Sequence, residues 1–226
     1  MKRTTIFSQL VINIIIPVIL ALMALAFFNY VSTKNILENS NRNKNSIISN
    51  EIKNILQFQD FSLDIIETGL ESRMYDLTYK LVFNYLDDVK DIKKLDLNAI
   101  HQEIGMRSGV EDIYIIDQNG IVVNTTFKKD IGLNFFSFGP KYKNYLLGIF
   151  KDRKFHVDRF TIEDKTKKLK KYSYHATSDG KYIVELGFYS EKANRVMDQV
   201  KEQLNSMASK HESIEKIDLF YHFGVR

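Results

Sequence analysis

The 226-residue chain contains no cysteine, so disulfide staples, thiol catalysis and Cys-based zinc sites are excluded together. The usual enzyme signatures are missing as well: there is no nucleophile elbow, no phosphate-cradling glycine loop and no HExxH helix. The five histidines, His101, His156, His175, His211 and His222, are scattered, and none pairs with another at metal-ligand spacing. The chain therefore reads as a non-enzyme without a cofactor or metal. A strong charge imbalance is lacking too. Lys and Arg number 32 against 28 Asp and Glu, a net +4, which does not suggest nucleic acid as a partner.

Charge is also missing locally, and this absence is the most informative. No residue from Ile6 to Val31 is charged, and the run is filled with Leu, Ile, Val and Phe, enough apolar helix to cross a bilayer of roughly 30 Å. Lys2 and Arg3 stand on its short N-terminal side. The positive-inside rule then puts that end in the cytoplasm and everything after Val31 outside. A cleaved signal peptide is the alternative, because Ala24-Leu25-Ala26 has a small-x-small form. The apolar stretch exceeds the usual h-region of about 7–15 residues, and Phe27, Phe28 and Tyr30 continue it as an interfacial aromatic end. Transmembrane helices tolerate a proline such as Pro17. A disulfide-free domain outside the membrane fits a bacterial envelope, so the expected location is the bacterial cell membrane, with lipid as one partner.

The chain beyond the span has material for a core, with 44% hydrophobic and 12% aromatic residues over the whole sequence. The expected organisation is a cytoplasmic N-terminus (1–5), a transmembrane helix (6–31), a long membrane-exit helix (34–75), an α+β domain (76–190), a linker helix (191–211) and a final segment (212–226). In the long helix, Ile48, Ile52, Ile55, Gln59, Ser62, Ile66 and Gly69 form a seam in steps of three and four, widened by Ile47, Phe58, Leu63, Ile65 and Leu70. That seam packs on its own domain or, since its spacing approximates a heptad, pairs with a second copy as a homodimer.

Tyr79 to Leu86 reads as a short separate helix, and Asp96 as the N-cap of another through Leu97, Ile100 and Ile104. The period then becomes extended. Val110 to Ile116, the turn Asp117-Gln118-Asn119-Gly120 and Ile121 to Thr126 form a hairpin. Lys141 to Phe150 is helical; Phe155 to Ile162, Leu169 to Thr177 and Lys181 to Tyr189 are three more antiparallel strands. Ser190 caps a last helix whose face is Ala193, Val196, Val200, Leu204, Met207 and His211. Ile214 to Val225 looks like a new strand. The sum is an α+β fold, a five-stranded antiparallel PAS-like sheet backed by a long helix.

Three segments give this order a family resemblance: Val110 to Val122 (strand, acidic turn with glycine, returning strand), Lys129 to Asn134 (post-strand loop) and Asp179 to Gly187 (closing hairpin). Behind a membrane anchor and a long helix, they resemble the extracytoplasmic Cache sensor domains of bacterial signal-transduction receptors. The resemblance implies a receptor input that binds a small ligand outside and signals inward to a histidine kinase, a cyclic-dinucleotide enzyme or a chemotaxis module. No second apolar span follows Val31, and the resemblance further implies that Ile214 to Arg226 begins a second lobe that is not completed. With no tryptophan, the aromatic cluster of the family's amino-acid-binding members is not matched in full.

The closing hairpin allows a register to be derived. With Asp179-Gly180 at the centre of a two- or four-residue loop, Tyr174 lies opposite Glu185 and Tyr172 opposite Gly187. One face then carries Lys170, Tyr172, Tyr174, Ile183, Glu185 and Tyr189; the other, with Tyr182, Val184, Leu186 and Phe188, packs on the long helix. The mixed face suits a pocket for a small polar metabolite such as an amino acid or a carboxylate, with Glu185 placed to meet an amine. The alternative is an ordinary half-exposed sheet. Tyr114 and Arg159 are further candidates, Arg159 as a carboxylate-capturing guanidinium or as a mere edge-strand charge beside Asp158. Lys165, Lys167, Lys168, Lys170 and Lys171 read as a solvated basic turn, or as a patch drawn to anionic polymer or lipid. Asn124-Thr125-Thr126 has the form of a glycosylation acceptor. The competing function is a membrane-tethered structural or adhesion protein with no small ligand.

Overall fold

The computed structural model describes residues 6–87, 89–163, 165–211, 214 and 216–219. The chain divides into two compact units, residues 1–54 and 55–226. A helical turn α1 (Ile6–Leu10) and a π-turn (Val11–Ile15) lead into α2 (Ile16–Lys80). The π-turn lies just upstream of Pro17, whose missing N–H leaves a gap in the α-helical ladder that a wider turn absorbs. The apolar part of this helix is long and apolar enough to cross a membrane.

Downstream of Pro17 the helix meets no proline, and Gly69 is its one glycine before Lys80. It therefore does not stop at residue 75. The separate helix expected over Tyr79 to Leu86 is the continuation of α2, closed by a second π-turn (Leu81–Tyr85). Along α2 the seam is present: Ile48 and Leu63 are buried, and Ile52, Ile55, Gln59, Ser62 and Ile66 are half-buried. It is narrower than expected, because Ile47, Phe58 and Ile65 are exposed on the other side of the helix.

Asp96 caps α3 (Leu97–Glu103), its carboxylate accepting from the amides of Asn98 and Ala99. Then come β1 (Glu111–Asp117), β2 (Val122–Thr125), α4 (Pro140–Asp152), β3 (His156–Val157), β4 (Thr161–Ile162), β5 (Leu169–Ala176), β6 (Tyr182–Tyr189) and α5 (Glu191–Lys210). The Ser190 hydroxyl accepts from the Ala193 amide at 3.2 Å, starting α5 as a side-chain cap does. The sheet is antiparallel, in the order β2-β1-β6-β5-β3, with β4 also on β5. It has six strands rather than five, because Phe155 to Ile162 is broken. Between β3 and β4 the Phe160 amide is taken by the Glu67 carboxylate of α2 instead of a neighbouring strand.

The closing hairpin has the expected register, Tyr174 opposite Glu185 and Tyr172 opposite Gly187. Thr177 and Tyr182 close a four-residue loop through a 2.8 Å bond, with Gly180 at φ 69°, where a side chain would be strained. One sheet face, including Ile113, Ile115, Val184, Leu186 and Phe188, packs on Met74 and Leu77 of α2, on Leu81 of the π-turn that follows it and on α3. The opposite face packs under α4 through Ile116, Ile183, Leu146 and Ile149.

Two sequence readings are corrected here. Lys170 and Lys171 do not belong to a solvated turn. They are 0% and 1% exposed, because strand pairing carries both into the sheet and acidic groups or carbonyls meet them there. Asn124 is no glycan acceptor in this fold, since it is buried and its amide donates to the carbonyls of Ile92 and Leu95. The strand expected over Ile214 to Val225 falls partly outside the described residues; the described positions 214 and 216–219 have no regular secondary structure.

Candidate functional site

Residues directly opposite in antiparallel strands share a face, so the registers of β1, β6 and β5 generate transverse rows. The central row is Tyr114, Glu185, Tyr174; the next is Asp112, Gly187, Tyr172; beyond it Tyr189 faces Lys170. The sheet thus brings together four of the five residues singled out from the sequence: Tyr114, Tyr172, Tyr174 and Glu185. α4 roofs the rows. Its Tyr142 hydroxyl meets that of Tyr174 at 3.1 Å, and its Tyr145 hydroxyl donates to Asp158 at 2.9 Å. The Tyr145 and Tyr174 rings pack edge to face at 5.7 Å.

Burial sets the protonation state of this layer. It pushes the phenols of Tyr114, Tyr142, Tyr145, Tyr172 and Tyr174 far above their ordinary value, so each is a neutral hydrogen-bonding group. Burial likewise pushes Glu185 well above the usual carboxylate range, against the pull of nearby Lys170 and with the help of the Asp158 and Asp130 charges. Asp158 is raised for the same first reason, opposed by hydrogen bonds from Tyr145 and Tyr174. Glu185 is 2% exposed and its Oε2 has no hydrogen-bond partner; the buried Tyr189 hydroxyl has none either. An unmet buried polar atom costs about 1–3 kcal/mol, so the face holds unspent hydrogen-bonding capacity.

Lys170 provides the charge. Its Nζ lies 2.6 Å from Asp112 Oδ2 and donates to the Tyr114 hydroxyl at 2.7 Å. It reaches β1 by crossing β6 at Gly187, where a Cβ would lie 2.4 Å from Lys170 Cε. Among the described residues no group of three or more His, Asp or Glu is placed to hold a metal ion.

Arg159 is elsewhere. Its guanidinium is drawn to α2, donating from Nε to Glu67 at 3.0 Å and from Nη1 to Asp60 at 2.6 Å. The sequence reading missed Asp112, which shares a face with Tyr114 by the two-residue period of a strand and was legible on that ground. It also missed Tyr142 and Tyr145, three residues apart on one helix face. Phe127, just after β2, carried no local signal.

No family model matches the chain, and no curated protein matches it in sequence. Solved structures do. The Bacillus subtilis YkuI protein, with an EAL domain, is 14% identical over 60% of this chain at a TM-score of 0.45, and the match spans 36% of that chain. The E. coli DcuS sensor domain is 14% identical over 62% of this chain and 98% of its own, at 0.39. The ligand-binding domain of the Campylobacter jejuni chemoreceptor Tlp3, in complex with 4-methylisoleucine, is 15% identical over 64% of this chain and 62% of its own, at 0.39. At these identities and scores the likenesses carry no weight for what this chain binds, which is read from its own residues.

Proposed function

We propose that the chain is the extracytoplasmic sensing input of a bacterial membrane receptor of the Cache kind. The helix over 6–31 spans the membrane with its N-terminus inside. A small polar metabolite binds the tyrosine face under α4, and its presence is passed through α2 to a cytoplasmic output, a histidine kinase in the simplest arrangement. The observation that carries this reading is Glu185, a buried carboxyl in the middle of a tyrosine row with one oxygen unmet. A protein that only needed a sheet would place an apolar residue there.

Coupling is supported by how β5 is attached. The strand that carries Tyr172 and Tyr174 also carries Lys171, whose Nζ lies 3.1 Å from Glu71 of α2, and Ser173, whose hydroxyl meets that of Thr78 at 3.3 Å. A shift in β5 therefore bears on the helix that leads to the membrane. In the same reading a second copy pairs along α2, where Phe58, Phe61 and Ile65 are exposed at helical spacing.

The test is a thermal-shift screen of the full chain in lipid nanodiscs against carboxylates, hydroxy acids and amino acids. A ligand at about a hundred times its dissociation constant adds about 2.7 kcal/mol of stability. Tyr174→Phe and Glu185→Gln should lose the shift while staying folded. No shift with any compound on folded protein would leave the tether as the better description.

A further inference from the structure

The surroundings of the Lys170 ammonium exceed what an ion pair needs. Asp112 alone would satisfy its charge, yet Nζ also lies 4.3 Å from the centroid of Tyr189, 5.0 Å from Tyr114, 5.3 Å from Phe127 and 5.8 Å from Tyr172. Three of these rings come from three different strands and the fourth from the segment after β2. Three π faces, a phenol hydroxyl and one carboxylate around a single point select an organic ammonium, since Tyr189, Phe127 and Tyr172 present their negative quadrupole faces, Tyr114 accepts a hydrogen bond and the acid supplies the counter-charge. Gly187 leaves open the crossing through which the alkyl stem passes.

We propose that this cage is a primary-ammonium site whose resident ligand is the chain's own Lys170 side chain. Free amines and amino acids are therefore shut out of it. The metabolite admitted to the adjoining tyrosine face carries carboxyl or hydroxyl groups and no primary amine, matching what is left unmet there: the Glu185 and Tyr189 oxygens. This ligand class rests on the sensing reading above. The occupied cage does not, and its test needs no natural ligand.

The experiment uses the full chain in nanodiscs, wild type and Lys170→Ala, with n-propylammonium as the missing part of the side chain and n-propanol as its neutral counterpart. Propylammonium should raise the unfolding temperature of Lys170→Ala saturably, beyond an ionic-strength control, while propanol does not and wild type is unmoved by either. If Lys170→Ala folds only when amine is present during production, that is the same positive result. An equal response of wild type and variant, no amine-specific response, or no rescue by either compound overturns the proposal. A wild-type shift with a free amino acid that vanishes on N-acetylation overturns the exclusion of amines. Propylammonium binding to Lys170→Ala, with a wild type that responds to no metabolite, would keep the cage and discard the sensor.

Discussion

The fold pushes the Glu185 carboxyl toward its protonated form, and that makes a pH signature. Burial raises its pKa above the ordinary carboxylate range, so over an interval starting near pH 4–5 the folded chain keeps a proton that the unfolded chain has lost. Stability then falls as pH rises through that interval, by up to about 1.4 kcal/mol per pH unit, and levels off once the folded group ionises too. Glu185→Gln removes this contribution. Measured by chemical denaturation from pH 5 to 8, the variant should gain on wild type as pH rises; parallel curves would show that Glu185 is ionised in the fold. The position was legible beforehand only on the condition of a two- or four-residue loop at Asp179-Gly180, since a three-residue loop reverses every face assignment; the four-residue loop meets that condition. The use made of Lys170 and Arg159 was not legible. Their acidic partners lie 58 and 92 residues away, and a run of charges carries no mark of which member the sheet will swallow.

The tie between α2 and the sheet is polar at its edges and apolar in the middle. At one edge Glu111 of β1 is fully buried; burial pushes its carboxyl up, but hydrogen bonds from Arg73 and Arg107 outweigh this and hold it below the usual range. At the other, Arg159 bridges Glu67 and Asp60. Arg159→Ala strands the buried Glu67 and should cost on the order of 1–3 kcal/mol, less than the ~3–5 of a fully buried pair because the guanidinium is a third exposed. Adding Glu67→Gln should recover part of that loss in equilibrium unfolding. In the apolar middle, Leu186→Ala should cost about 2–5 kcal/mol through the cavity it leaves without altering the tyrosine face; a loss of ligand shifts on folded Leu186→Ala would contradict the division of faces. Elements with local punctuation, such as the Asp96 and Ser190 caps and the Asp179-Gly180 turn, could be read from the sequence. The unbroken run of α2 was missed at Tyr79 although no breaker stands there, and the split of Phe155 to Ile162 depends on a carboxylate from another element.

The proposed topology and pairing make separate demands. Protease added outside spheroplasts should cut the chain beyond residue 34 and leave an N-terminal tag intact, as expected for Lys2 and Arg3 retained inside; a fully protected domain would reverse the orientation. Exposed Phe61 should lie at the pairing seam of α2. In nanodiscs, Phe61→Lys should lower the cross-linked dimer fraction while leaving the unfolding temperature of the domain nearly unchanged, because the side chain is 64% exposed within one copy. An unaltered dimer fraction would put the partner on another surface.

Gly187 carries a consequence for how this protein can vary. A methyl group there would press on the Lys170 stem at Cε, which would have to move from its place across β6. Gly187→Ala, a change of one methyl group, would displace the stem and strain the pairing of the ammonium with Asp112. The two positions are thus linked: a side chain at 187 calls for an accommodating change at 170, and with Lys170 gone the three strands lose a side chain that laces them together. The variant Gly187→Ala/Lys170→Val/Asp112→Asn, which removes both the clash and the unpaired carboxylate, should accordingly be more stable than Gly187→Ala alone.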